Sequence, residues 1–273
     1  MARANRHFLP GHVWHITHRC HKKEFLLKFS RDRQRWMAWL FEAKKRYGLD
    51  VLNYTVTSNH IHLLVFDNGS QAIAKSMQLI AGRTAQEYNN RKQRKGAFWE
   101  DRYHATAVEA GGHLARCLVY IDLNMVRAGV VDHPASWKHS GYQEIQAPPS
   151  RYSIINRTKL RELLQIGGDQ MLIDTHREWV EDALHAEDVQ RQDYWTNNLA
   201  VGNSDYVCRV KQAIGIKARK RQIVGTKLGY AIRESLGAYS SVFDTEIGSL
   251  SRQNTVFLYE SYLDSVSCDG PTP

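Results

Sequence analysis

The chain has 273 residues, 42% of them hydrophobic, with a net charge of +9, which is enough apolar material for one large domain or two modest ones. No run of about 18 apolar residues occurs, and the first residues carry no apolar signal core, so a soluble, cytoplasmic protein is the expectation. The four cysteines, Cys20, Cys117, Cys208 and Cys268, are scattered without a CxxC pair, which argues against a zinc ribbon and against a disulfide framework.

The charge is uneven. Residues 1–147 carry 22 Lys and Arg against 12 Asp and Glu, a net +10, whereas residues 148–273 carry 15 against 16. A basic first half suits a polyanionic partner, because neutralising phosphates releases counterions and drives binding. Nucleic acid is therefore favoured over a basic surface that serves only solubility.

In chain order, residues 12–19 (HVWHITHR) alternate as a strand. The histidines here, His12, His15, His18 and His21, are spaced by three and so scatter over both faces. They read as edge or DNA-facing residues. Ser30 is placed to cap a helix to about Tyr47, stopped by Gly48, with Trp36, Leu40 and Phe41 in its apolar stripe. Residues 51–66 (VLNYTVTSNHIHLLVF) read as a β-hairpin, Val51–Thr57 and His60–Phe66 joined by Ser58–Asn59. In the second strand His60 and His62 share one face, so two imidazoles can converge on one cation. On spacing alone a His-x-His pair is a weak metal signal.

Ser70 begins a second helix to about Asn90, which ends in the run Arg91, Lys92, Gln93, Arg94, Lys95, Gly96. Such a run is either a solvated helix end or a phosphate contact. Residues 98–110 (FWEDRYHATAVEA) read as strand, with Arg102 as a phosphate contact, Trp99 as core, and Glu100 and Asp101 as buttresses to the arginines. After Gly111–Gly112, a third helix spans about 113–126 and brings Tyr120, Asn124 and Arg127 onto neighbouring positions one turn apart. The order strand, helix, strand, strand, helix, strand predicts an α+β fold with a ferredoxin-like βαββαβ antiparallel sheet.

An isolated Tyr120 in its apolar stretch is most simply a core tyrosine. Beside a carboxamide one turn on, and with a His-x-His strand in the same domain, it becomes a candidate nucleophile. A phenol with a pKa near 10 is a poor nucleophile at neutral pH unless its ionisation is assisted, yet it forms an aryl phosphate ester with a good leaving group.

Three ordered motifs, SNHIHLLV (58–65), GAFWEDRYHATAV (96–108) and YIDLNMVRAGVV (120–131), resemble those of the single-tyrosine HUH transposases, and most of all the REP-associated tyrosine transposases. The resemblance covers about residues 8–147. Ser58 stands where that family usually has Pro, as does Met125. The resemblance implies that His60, His62 and Asn124 hold Mg²⁺ or Mn²⁺, and that Tyr120 attacks single-stranded or hairpin DNA of the REP-like palindrome kind to leave a 5′-phosphotyrosine. Cleavage and rejoining in this way conserve phosphodiester energy, consistent with the absence of a P-loop motif. A sequence-specific DNA-binding protein and a rolling-circle replication initiator on the same fold remain as alternatives. A monomer is expected rather than a homodimer.

Residues 147–150 read as a linker, giving a 1–147 transposase domain and a 148–273 helical region. Helical signals cover 158–167, 171–187, 188–200, 204–214, 215–219 and 230–236. The segment from Arg209 to Arg233 holds eight basic and no acidic residues. Lys217, Arg219, Lys220 and Arg221 within it are candidate DNA contacts, on a loose helix-turn-helix pattern around Ala213–Gly215. Residues 265–273 read as a frayed tail.

Overall fold

In the computed structural model, residues 8–186 and 192–234 are described. The expected order is present: β1 (Val13–Arg19), α1 (Ser30–Tyr47), β2 (Asp50–Val56), β3 (His60–Phe66), α2 (Ala72–Lys92) and β4 (His104–Val108). These four strands pair antiparallel in the spatial order β2-β3-β1-β4, the ferredoxin-like arrangement. β3 and β1 are central, so both of their edges are paired, and Trp14, Ile16, Ile61, Leu63 and Leu64 are all fully buried.

Cross-strand partners share a face, which assigns the two sides of the sheet. His15 stands opposite Leu64 on β3 and Thr106 on β4, while Thr17 stands opposite His62 and His104. On β2, Asn53 and Thr55 oppose Leu64 and His62. This polar side is covered by α3 (Gly112–Asp122): Thr55 Oγ1 donates to the Ile121 carbonyl at 3.1 Å and Asn53 Nδ2 to Asp122 at 3.0 Å. The apolar side is covered by α2 and its neighbour α1. There His18 stacks on Trp99 with ring centroids 4.0 Å apart, and the Trp99 indole N–H donates to the Ala81 carbonyl of α2 at 3.0 Å.

α1 ends as the sequence predicts, with Gly48 left-handed (φ 65°) and its N–H bonded to the Lys44 carbonyl. Ser30 does not cap it. The residue before the first turn is Phe29, and Ser30 Oγ bonds His139 Nε2 at 3.2 Å instead. The strand expected over 98–110 is shorter, because the Trp99 anchorage holds residues 98–103 as an irregular arm with only an isolated bridge to Cys20. The helix expected over 113–126 breaks at Leu123 (ψ 4°) and resumes as the single turn α4 (Asn124–Arg127).

After α5 (Tyr142–Gln146), the second half contributes α6 (Arg157–Leu164), α7 (Asp169–His185), β5 (Ala200–Gly202), α8 (Ser204–Ile214), β6 (Arg221–Thr226) and β7 (Gly229–Glu234). It is therefore not only helical. β5 runs parallel to β4, and the sheet continues to seven strands in the order β2-β3-β1-β4-β5-β7-β6. The compact unit extends to Arg233, so the sheet crosses residue 147. The helix expected over 230–236 is β7 as far as Glu234: Ala231 and Ile232 are fully buried by pairing with β5, and residues 235–236 lie outside the described residues. Within 188–200 there is a 3₁₀ turn (Asp193–Trp195) and the start of β5, the residues before 192 lying outside the description. The helix-turn-helix pattern is replaced by α8, a 3₁₀ turn at Gly215–Ala218 and the strands β6 and β7. The tail at 265–273 lies outside the described residues.

Candidate active site

His62 sits mid-strand, 2% exposed. Its Nε2 is 2.9 Å from Asn124 Nδ2, which donates to it, and its Nδ1 is 2.8 Å from His15 Nε2. His15 in turn has Nδ1 at 2.9 Å from the Trp195 carbonyl. A carbonyl only accepts, so His15 carries its proton on Nδ1 and accepts at Nε2 from His62 Nδ1–H. Both imidazoles stay neutral at neutral pH. Burial pushes His15 down to about 4 and His62 well below the ordinary imidazole value, with His60 adding to the depression of His62. The lone pair of His62 is thereby on Nε2, toward Asn124.

His60 lies in the next outward position on the same face, its ring centroid 5.0 Å from that of His62. His60 Nδ1 donates to Asn59 Oδ1 at 2.7 Å, which leaves the Nε2 lone pair facing away from the turn. Both histidines and Asn124 line one cleft of about 570 Å³. Two imidazoles, paired by their spacing on β3, and the Asn124 carboxamide thus line one cleft. Among the described residues no group of three or more His, Cys, Asp and Glu is placed to hold a metal ion.

Tyr120 enters the same cleft from the last full turn of α3. Its ring meets His62 edge-on at 5.8 Å and His15 at 6.1 Å between centroids. Trp195 lies at 6.0 Å, and the Arg127 guanidinium sits 4.2 Å from the ring centre. Arg127 also donates to the Tyr120 carbonyl. The break at Leu123 turns α4 so that Asn124 points at His62 while Arg127 folds back over Tyr120. A guanidinium on the ring lowers the cost of developing phenolate charge.

Behind the cleft, Asp122 is tied into a buried chain: Gln146 Nε2 donates to His176 Nδ1 (2.9 Å), His176 Nε2 to Asp122 Oδ2 (2.8 Å), and Asn53 Nδ2 to Asp122 Oδ1 (3.0 Å). This chain fastens α3, and hence Tyr120, to β2 and α7. Gly141 is required beside it, since a Cβ there would lie 2.3 Å from Asn53 Oδ1.

The sequence-predicted basic residues divide. Arg102 and Arg127 line the cleft. Arg91 and Lys92 do not: Arg91 bonds Asp32 at the start of α1, and the Lys92 ammonium sits 5.4 Å from the centre of the Phe29 ring. Arg94 pairs with Glu24 at 3.5 Å and donates to the Ala97 carbonyl at 2.8 Å, while Lys95 is exposed. Arg221 is close enough to help depress His104, a cleft residue whose pKa is lowered mainly by burial. Arg219 and Lys220 are exposed, and the Lys217 side chain lies outside the description. Sequence reasoning missed His15, Arg19, His104, Thr196 and Asn197. All but His15 line the cleft, and His15 supports it from behind. Glu100 and Asp101 line it as well.

Residues 10–124, the stretch that supplies β1 to β4, Tyr120 and Asn124, match the family described as "Transposase IS200 like". This stretch belongs to that transposase family. The chain is similar to a solved REP-associated tyrosine transposase bound to a REP hairpin, with 18% identity over 54% of this chain and 87% of that one and a TM-score of 0.46. It is also similar to a putative transposase from Deinococcus radiodurans R1, with 15% identity over 38% and 83% of the two chains and a TM-score of 0.30. No curated protein matches the chain. Among the described residues no helix is long and apolar enough to cross a membrane.

Proposed function

We propose that this transposase cleaves and rejoins single-stranded or hairpin DNA through a covalent 5′-phosphotyrosine on Tyr120. The observation that carries the reading is Tyr120 in one cleft with His60, His62 and Asn124, its ring capped by Arg127. The Tyr120 hydroxyl oxygen attacks the scissile phosphorus, the bond from phosphorus to the 3′ oxygen breaks, and that oxygen leaves as a 3′-hydroxyl. Arg127 steadies the phenolate as its proton passes to solvent, and solvent returns a proton to the departing 3′ oxygen. Attack by a 3′-hydroxyl on the phosphotyrosine restores the phosphodiester and the free phenol, so no external energy source is consumed.

The donor set fits a divalent ion such as Mg²⁺ or Mn²⁺, since His60, His62 and, after a carboxamide flip, Asn124 offer two nitrogens and one oxygen. When bound, such an ion polarises the phosphate and offsets charge in the transition state. Arg19 and Arg102 on the cleft wall hold the flanking phosphates, with Arg219, Lys220 and Arg221 extending the track from the second half. In this reading the second half supplies DNA contact through Arg219, Lys220 and Arg221 and part of the cleft wall through Thr196 and Asn197.

The test is incubation with labelled hairpin DNA libraries and Mg²⁺ or Mn²⁺, resolved on a denaturing gel. The expected result is a metal-dependent, protease-sensitive adduct that disappears in Tyr120→Phe and in His60→Ala. An unchanged adduct in Tyr120→Phe removes the nucleophile assignment. A metal-independent mobility shift without any adduct turns the reading to a DNA-binding protein.

A further inference from the structure

We propose that His15 is a positioning residue. Anchored by the backbone carbonyl of Trp195, it locks His62 as the Nδ1–H tautomer and so keeps the His62 Nε2 lone pair aimed into the cleft. The inference rests on the metal reading above only for its consequence, not for the relay itself.

The geometry fixes the direction of the relay. The Trp195 carbonyl has no proton to give, so the 2.9 Å bond requires Nδ1–H on His15. The remaining His15 nitrogen, 2.8 Å from His62 Nδ1, then accepts. The two rings are nearly parallel, at 9° and 5.0 Å, so this bond runs between rings that cannot rotate apart without losing both contacts. Both side chains are buried, at 0% and 2% exposure. No water competes for the His62 Nδ1 proton, and moving that proton to Nε2 would leave two acceptor nitrogens facing each other. A ligand histidine whose second nitrogen is held by a hydrogen-bonded partner has its ring orientation and basicity set by that partner. Here the partner is a second histidine, and its own anchor lies far along the chain in the 3₁₀ turn Asp193–Trp195. The second half thus reaches the centre of the site through one main-chain carbonyl, in addition to walling the cleft with Thr196 and Asn197.

The test uses the full chain, metal-free, with ¹⁵N-labelled histidine. Long-range ¹H–¹⁵N correlations report the tautomer of each ring, and single substitutions assign them. The expected result is Nδ1–H for both His15 and His62. His15→Leu should shift His62 toward a mixture of tautomers, whereas His15→Gln, whose carboxamide can donate to Trp195 and accept from His62, should retain the Nδ1–H form. Mn²⁺ titration followed by electron paramagnetic resonance gives the consequence: affinity lowered by about 10–100-fold in His15→Leu and largely restored in His15→Gln. An Nε2–H tautomer of His62 in the parent protein, or a tautomer and Mn²⁺ affinity unmoved by His15→Leu, overturns the proposal. A parent protein that shows the Nδ1–H tautomer but binds no Mn²⁺ supports the relay and counts against the metal reading instead.

Discussion

Asp122→Asn is a nearly isosteric change that should nonetheless be expensive, because every neighbour of Asp122 has its direction fixed. Gln146 Nε2 donates both to the Ile173 carbonyl at 3.1 Å and to His176 Nδ1 at 2.9 Å, so His176 carries its proton on Nε2 and donates to Asp122. Asn53 cannot turn its carboxamide, since its Oδ1 already accepts the Tyr54 N–H at 2.8 Å while its Nδ2 donates to Asp122. Both carboxylate oxygens therefore face donors, and a carboxamide satisfies only one of them. The Asp122 and His176 side chains are 0% exposed, so the resulting N–H to N–H contact has no water to relieve it. A lost hydrogen bond to a charged group costs about 1.5–3 kcal/mol, and a stranded buried donor adds to it, giving a loss of about 3 kcal/mol. For a chain of this size that corresponds to a fall in Tm of roughly 6–12 °C. Urea unfolding followed by circular dichroism measures it as a lower midpoint at unchanged slope. A double-mutant cycle with His176→Leu should show coupling of about 1 kcal/mol or more, because removing His176 removes the opposing donor. A midpoint for Asp122→Asn within about 0.5 kcal/mol of the parent would refute the directional argument.

Arg127→Lys keeps the charge but loses the planar contact with the Tyr120 ring and the bond to its carbonyl. Adduct formation in single-turnover quench experiments should slow about tenfold, near 1.4 kcal/mol, with hairpin affinity nearly unchanged, and equal rates would exclude the role given to Arg127. His139 is pushed down to about 4, first by burial and then by the nearby positive charges of Arg33 and Lys138. The unfolded chain therefore binds a proton that the folded chain refuses between about 6.5 and 4, so stability falls as the pH is lowered through that window. His139→Gln should flatten that part of the urea-midpoint profile, and an unaltered profile would show that other groups set it. A chain ended at residue 147 loses the bonds from Ala107 N–H to the Leu199 carbonyl (2.9 Å) and from Glu109 N–H to the Val201 carbonyl (3.1 Å), and leaves β4 as a bare edge. It should be recovered mainly as aggregate or melt well below the full chain in differential scanning fluorimetry, and an equally stable fragment would show that the second half is dispensable to the fold.

The legible parts of the site were those encoded over short distances. His60 and His62 are two residues apart on an alternating strand, which local periodicity places, and Tyr120 and Asn124 are four apart, which brings them near each other even though the helix breaks at Leu123 between them. His15 was unreadable for the opposite reason. Its neighbours His12 and His18 made a pattern of three that fits neither face, and only the pairing of β1 with β3 and β4 puts His15 beside His62. Trp195 left no trace at all, because it contributes a backbone carbonyl that any residue possesses. Most of β7 reads as helical and β5 goes unassigned beyond Ala200, because three to six residues paired on the flank of a distant sheet carry little periodic signal of their own. Among the basic residues, net charge was legible but partnership was not. Arg91 and Arg94 look alike in sequence to Arg102, and only tertiary contact reveals that the first two are spent on Asp32 and Glu24 while the third faces the cleft.

The two faces of the central strands show what the site demands of the fold. One face is conventionally apolar, with Trp14, Ile16, Ile61, Leu63 and Val65 turned toward the α1 and α2 side. The other buries His15, Asn53, Thr55, His62 and Thr106 in a row, all at 2% exposure or less. Burying a polar group without a partner costs stability, and an apolar face of the same volume would be the simpler way to hold α3 on the sheet. Each member of the row instead has a directed bond: His15 to Trp195, Asn53 to Asp122, Thr55 to Ile121, His62 to Asn124, and Thr106 to the Asn198 carbonyl at 2.6 Å. Asn53, Thr55 and His62 so placed fix the height and rotation of α3 and of the turn after it, which apolar packing alone would leave freer to slide, while His15 and Thr106 bind residues 195–198 to the same face. The polar face thus trades stability for an exact placement of one hydroxyl against two imidazoles, and two of its five anchors, Trp195 and Asn198, come from the second half of the chain.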